Sequence, residues 1–217
     1  VNLDQARSNM IKQQLRTWEV LDSRVLEVLE STPRELFVPA RHRRLAFSDL
    51  RIPLGHEQIM MKPNEEGRAL QSLALSGTEH VLEVGTGSGF LTACLARLAG
   101  RVTSIEIIGQ LAELARENLE QVDSAGIELL TGDVFEQAFA QQSFDAILVS
   151  ASVPTVPENL SAWLKPGGRM FIVRGHSPAM EALLIRRSES GRLAEESLFD
   201  TDLPRLVGAE DQPVFEF

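Results

Sequence analysis

The sequence predicts an α/β fold: a mostly parallel central sheet with helices on both faces and a helical cap at the N-terminus. Three observations carry that expectation. From His80 onward apolar β-runs alternate with helical patterns, which calls for parallel strands joined by right-handed crossovers. A turn with three glycines stands at the first strand-to-helix junction. Ahead of it, the first thirty or so residues carry helical periodicity and no repeat of the β–α alternation.

Each element has its own signal. Met10, Ile11, Leu15 and Trp18, then Val25, Leu26 and Leu29 after a turn at Leu21-Asp22, predict two short amphipathic helices. Pro33, Pro39, Pro53 and Pro63 with Gly55 predict an irregular segment from Thr32 to Pro63. Residues 1–63 are therefore read as a helical cap with a loop segment, packed on a core of residues 64–217. In the core, Ala69, Leu70, Leu73 and Ala74 predict a helix ended by Gly77. Strand His80–Val84 leads to a helix with Leu91, Cys94, Leu95 and Leu98. Strand Arg101–Ile105 leads to one with Leu111, Leu114, Ala115 and Leu119, and Ile127–Leu130 opens the next unit. Asp145–Val149 and Arg169–Val173 are further β-runs, separated by a helix over Pro157–Leu164 and a turn at Lys165-Pro166-Gly167-Gly168. Leu183–Ile185, Ala194–Phe199 and Val214–Phe217 are expected as late strands, the last closing an antiparallel edge, with Asp200–Pro213 as a long loop.

Composition narrows the function. The chain of 217 residues has 31 acidic and 21 basic residues, a net charge of −10, with 43% hydrophobic content, as expected of a folded globular protein. Such a negative balance opposes phosphate backbones and anionic lipid, so no nucleic-acid or membrane partner is expected, the Arg41-His42-Arg43-Arg44 cluster being read as a solvated face. The lone Cys94 forms no internal disulfide, no apolar run nears the roughly 18 residues of a spanning helix, and Val1–Arg16 lacks the pattern of a signal peptide. A cytoplasmic location is the expectation. The four histidines show no metal-ligand spacing, so no metal is expected.

The stretch Val81-Leu82-Glu83-Val84-Gly85-Thr86-Gly87-Ser88-Gly89-Phe90 is the most informative. A dinucleotide fingerprint needs G-x-G-x-x-G, whereas here the third glycine comes one place early. An acidic residue followed by G-x-G-x-G is the pattern of class I S-adenosylmethionine (SAM) methyltransferases, whose loop meets the amino-acid part of a cofactor without phosphate, on a Rossmann-like sheet. Glu106, at the end of the second core strand and followed by Ile107, is placed to accept both ribose hydroxyls. Asp133 after the third strand is placed to accept from the adenine amino group, with Val134 packed on the ring.

From Ala6 to Gly175 the chain resembles the protein-L-isoaspartate O-methyltransferases, through Arg34-Glu35-Leu36-Phe37-Val38-Pro39, Ala46-Phe47-Ser48-Asp49, Ile52-Pro53-Leu54-Gly55-His56-Glu57-Gln58 and Val81–Phe90. The resemblance implies a SAM-dependent enzyme, with S-adenosyl-L-homocysteine (SAH) as product, that methylates the carboxylate of isoaspartyl residues in damaged proteins. It implies cofactor binding by Glu83, Gly85, Thr86, Gly87, Ser88, Gly89, Glu106, Ile107, Asp133 and Val134. It also implies a substrate loop containing His56, Gln58 and Ile59, with Ser150 after the fourth core strand and Met61 at the family's catalytic serine position. There the family reads Gly-His-Gly-Gln-Thr-Ile-Ser-x-Pro, and this chain reads Gly55-His56-Glu57-Gln58-Ile59-Met60-Met61-Lys62-Pro63. Loss of the Thr and Ser hydroxyls at Ile59 and Met61 keeps a second reading open, a SAM-binding member acting on another small carboxylate or without transfer. Neither reading fixes an oligomeric state.

Overall fold

The computed structural model describes residues 2–209. The N-terminal segment folds as α1 (Leu3–Asn9), continues through a π-helical turn (Met10–Leu15) and a 3₁₀ turn (Arg16–Trp18), and reaches α2 (Ser23–Ser31). Asp22 caps α2, its carboxylate accepting from the Arg24 and Val25 amides at 2.8 and 3.3 Å. The stretch expected to be irregular contains α3 (Arg34–Phe37), a 3₁₀ segment (Ala40–Leu45) and a hairpin of β1 (Ile52–Gly55) and β2 (Gln58–Met60). Its prolines are accommodated outside helix interiors: Pro33 precedes α3, Pro39 precedes the 3₁₀ segment, and Pro63 opens α4 (Pro63–Ser72), where a missing N–H costs no helical bond.

The core adds β3 (His80–Val84), α5 (Phe90–Leu98), β4 (Arg101–Glu106), α6 (Gly109–Leu119), β5 (Ile127–Thr131), β6 (Phe144–Val153), α7 (Glu158–Trp163), β7 (Leu164–His176), β8 (Ala179–Arg187) and β9 (Leu193–Thr201). The seven core strands lie in the order β5-β4-β3-β6-β7-β8-β9. Neighbours from β5 to β7 are parallel, and β7-β8-β9 are antiparallel. The antiparallel edge thus comes from β8 and β9, while Val214–Phe217 lies outside the described residues. Lys165–Gly168 is not a separate turn. It belongs to β7, where the pairing with β6 is irregular between Phe144 and Ala146. Asp200 and Thr201 complete β9, so the expected loop begins two residues later.

Alternation along the strands builds a core on each face. Val81, Val102, Ala146, Leu148, Phe171 and Val173 join Leu15, Leu26, Leu29, Leu70, Leu95 and Leu98 from the N-terminal helices, α4 and α5. Leu82, Val84, Ile105, Ile147, Val149, Met170 and Ile172 join Leu160 and Trp163 of α7. One continuous core therefore unites the first 63 residues with the sheet. Among the described residues, no helix is long and apolar enough to cross a membrane.

Candidate active site

The carboxyl ends of β3, β4, β5 and β6 open into a cleft, the place where open α/β sheets bind ligands. Its first wall is the turn after β3. The Gly85 amide donates to Ile105 O at 2.9 Å, extending the β3–β4 ladder into the turn. Gly85 has φ of +91°, and a Cβ there would stand 2.5 Å from Ser150 Oγ. The turn requires glycine both for its backbone and for this close approach.

Beneath the turn lies Glu83, fully buried and pointing to α5 rather than into the cleft. Thr92 and Ser104 hydroxyls donate to its Oε2 at 2.5 and 2.6 Å, and Thr86 in turn hydrogen-bonds Ser104 at 2.6 Å. Burial pushes the Glu83 carboxyl up to about 7 against those hydrogen bonds, with a smaller push from the charge of Glu106. Glu83 is therefore a support for the turn, not a lining residue. The same holds for Gly89, where a Cβ would meet Ala115 and Leu119 of α6 at 3.3 Å: this glycine serves helix packing.

Glu106 lines the cleft and ties two loops together. Its Oε2 accepts from the Gly87 amide at 2.8 Å and its Oε1 from the Ile108 amide at 3.0 Å. Each carboxylate oxygen has two acceptor positions, so both retain capacity toward the cleft, matched to a vicinal diol. With the Gly87 N–H committed to a carboxylate, the turn disfavours a phosphate, which would meet negative charge where a dinucleotide loop offers donors. Across the cleft, Asp133 Oδ1 accepts from the Phe135 amide at 2.8 Å, opening a 3₁₀ turn (Val134–Glu136), and Val134 presents an apolar wall. Ile107 lines the rim. This set of acceptors fits a nucleoside cofactor without phosphate, as SAM is.

The opposite wall is built from β2 and Met61 just beyond it. Gln58, Ile59 and Met61 all line the cleft, together with Met60. His56 does not. With Glu57 it forms the exposed tip of the β1–β2 hairpin, at φ of 53° and 60°, as a two-residue hairpin turn with both residues left-handed requires. Glu57 thus also points away from any acceptor. It stands where a glycine would sit unstrained, and Glu57→Gly is expected to raise the unfolding free energy by about 1 kcal/mol, measured by urea denaturation.

Two features escaped the sequence reading. Arg34 is fully buried behind β2: its Nη2 donates to the Met61 carbonyl at 2.7 Å and stands 3.2 Å from Glu66 Oε2, and its guanidinium lies 4.9 Å over the Phe90 ring. Burial lowers the Arg34 pKa and pushes the Glu66 carboxyl up, each opposed by the partner's charge. Glu66 lines the cleft. The second is the segment after β9. Leu206 N–H donates to Ser152 O and Ser152 N–H to Pro204 O, both at 2.8 Å, pinning it to the end of β6. Farther along, Gly208 lies so close to Phe135 that a Cβ would meet its ring at 2.9 Å. Residues 203–208 thus form a strap from β6 to the turn after β5, and Arg205, Leu206 and Val207 line the cleft. Neither feature carries a local pattern that could have revealed it.

The family model for protein-L-isoaspartate(D-aspartate) O-methyltransferase matches residues 5–203. The chain belongs to the protein-L-isoaspartate O-methyltransferase family. Among its relatives, the protein-L-isoaspartate O-methyltransferase of Trichlorobacter lovleyi is 38% identical over 97% of both chains. That of Koribacter versatilis is 41% identical over 95% of this chain and 91% of its own. A crystal structure of a Plasmodium falciparum protein-L-isoaspartate O-methyltransferase in complex with SAH shares the fold at a TM-score of 0.79, covering 95% of this chain and 98% of that one at 19% identity. A member of this family is a SAM-dependent methyltransferase, and the match extends past the Gly175 limit of the sequence resemblance, through β8 and β9.

Proposed function

We propose that this protein methylates the α-carboxylate of isoaspartyl residues in proteins, with SAM held by Glu106 at the ribose, Asp133 and Val134 at the adenine, and Gly85–Ser88 at the amino-acid part. The observation that carries this reading is the meeting of Glu106, Asp133 and a phosphate-averse glycine turn in one cleft, in a chain matched by the family over residues 5–203.

SAM, when bound, supplies a methyl group on a sulfonium, and a carboxylate ionised at pH 7 is a sufficient nucleophile without a general base. What the protein contributes is alignment and exclusion of water. Ile59, Met60 and Met61 form an apolar wall, Met60 and Met61 each being 4% exposed. The hydroxyls missing at Ile59 and Met61 remove orienting donors but leave this wall closed to solvent, so transfer is retained with orientation supplied elsewhere. Ser150 donates its proton to Gly85 O at 2.7 Å and acts as a strut of the cofactor turn. We place the enzyme in the cytoplasm, where reducing conditions suit its single, buried cysteine.

Labelled SAM and an isoaspartyl peptide, with the matched aspartyl peptide as control, test the reading. Base-labile label is expected in the isoaspartyl peptide alone. Absence of label while SAH binding is intact, or equal labelling of both peptides, overturns it.

A further inference from the structure

Resting on that reading, we infer that Glu66 receives the α-ammonium group of SAM and anchors the amino-acid end of the cofactor. Among the described residues, three carboxyl groups line the cleft, those of Glu66, Glu106 and Asp133. Glu106 and Asp133 stand at the ends of β4 and β5 and already accept from backbone amides. Glu66, on α4, belongs to the other end of the cleft. Arg34 touches both it and Phe90: the guanidinium is 3.2 Å from Glu66 Oε2 and lies 4.9 Å over the Phe90 ring. Phe90 opens α5 directly after the glycine turn, where the amino-acid part of SAM is placed.

The Glu66 carboxyl is buried and unsatisfied, its side chain 2% exposed. Oε2 accepts no hydrogen bond, since Arg34 Nη2 directs its own to the Met61 carbonyl at 2.7 Å, and no donor among the described residues is bonded to Oε1. A carboxylate accepts at about four positions, so this one keeps capacity for a cationic donor on its cleft side. Gln58 and Ser88 also line the cleft, and their neutral oxygens can share the three N–H donors of an ammonium. Neither brings the charge that a cation removed from water requires. Burial pushes the Glu66 carboxyl up to about 8, opposed by Arg34 and aided by the charge of Glu65; the Cys94 thiol of α5, itself pushed up by burial, also faces it. A second cation beside the carboxyl favours its ionised form, so the cofactor is expected to expel a proton from Glu66 near pH 7.

The test is calorimetric titration with SAH and with its deamino analogue, which carries a thiobutyrate in place of homocysteine. Wild type is compared with Glu66→Gln and with the paired variant Arg34→Met with Glu66→Leu, which leaves no uncompensated buried charge to unfold the chain. Wild type is expected to bind SAH about ten- to a hundredfold more tightly than the analogue. It should also release protons with SAH at pH 7, read from the dependence of the binding heat on the buffer. In both variants SAH affinity should fall to within about threefold of the analogue's, the analogue should bind as in wild type, and the proton release should vanish. A preference for SAH that survives in either variant overturns the inference, as does an equal loss of both ligands, which a merely structural role would give. Should neither variant fold, wild type decides: no proton released with SAH, or as many with the analogue, overturns it. A wild type that binds no SAH sinks the underlying reading too, whereas one that binds both ligands equally sinks this inference alone.

Discussion

Replacing Arg34 with alanine is expected to lower the unfolding free energy by about 3–5 kcal/mol, a large part of the roughly 5–15 kcal/mol that a folded domain possesses. Three losses combine. The Met61 carbonyl loses its donor, Glu66 loses the cation beside it, and a void opens under the Phe90 ring. Glu66 also sets the pH dependence. A carboxyl whose folded pKa lies above its unfolded value contributes most at pH below the unfolded value of about 4.5, and that contribution is lost as pH rises through the folded pKa. Without Arg34 the folded value rises further, so the deficit of Arg34→Ala should be larger at pH 9 than at pH 6 in urea denaturation. The paired substitution Arg34→Met with Glu66→Leu should recover most of the loss, since an apolar pair of similar volume carries no desolvation penalty. A deficit below about 1 kcal/mol at both pH values would show that the buried pair is dispensable.

Glu106→Ala is expected to weaken SAM and SAH binding by about a hundred- to ten-thousandfold. Two hydrogen bonds from ribose hydroxyls to a carboxylate are worth roughly 1.5–3 kcal/mol each, and each 1.4 kcal/mol is about tenfold in affinity. The same substitution orphans the Gly87 and Ile108 amides and so loosens both loops that frame the cleft. Glu106→Gln, with one acceptor oxygen left, should lose about tenfold. Calorimetric titration with SAH measures both, and the rise in melting temperature given by saturating SAH should vanish in the alanine variant. An alanine variant that binds within threefold of wild type would remove Glu106 from the cofactor site.

Much of the fold and of the candidate site was legible because it is local. The glycine spacing, the acids at Glu106 and Asp133 and the alternation from β3 to β5 are each written within a few residues, and periodicity reports them directly. What was illegible is long-range. Arg34 and Glu66 look like ordinary surface charges until the fold packs α3 against β2 and α4 and buries both. Glu83 appears in the sequence as a member of the site, and only the third dimension shows that it faces α5. The hairpin at Gln58–Met60 was hidden because Pro53 and the non-glycine pair His56-Glu57 mask a turn usually marked by glycine or asparagine. Lys165–Gly168 carries the composition of a turn and does turn locally, with Gly167 at φ of +75°, but pairing with β6 resumes at Arg169, so it is a bulge within β7 and not a separate connection.

The order β5-β4-β3 has a metric consequence. Neighbouring strands of a sheet are held about 4.8 Å apart, and the groups that would meet adenine, ribose and amino acid stand at the ends of three successive strands. Backbone pairing therefore works as a ruler, with the cofactor laid across its divisions. Loops can vary in length and composition without changing those intervals, because the marks lie where the ladder ends: Gly85 N–H on Ile105 O, and Gly132 N–H on Glu106 O. Core substitutions that shear β4 against β3 would miscalibrate the site from a distance, so affinity for the cofactor is also a gauge of how well Val81, Val102 and Ile105 are packed.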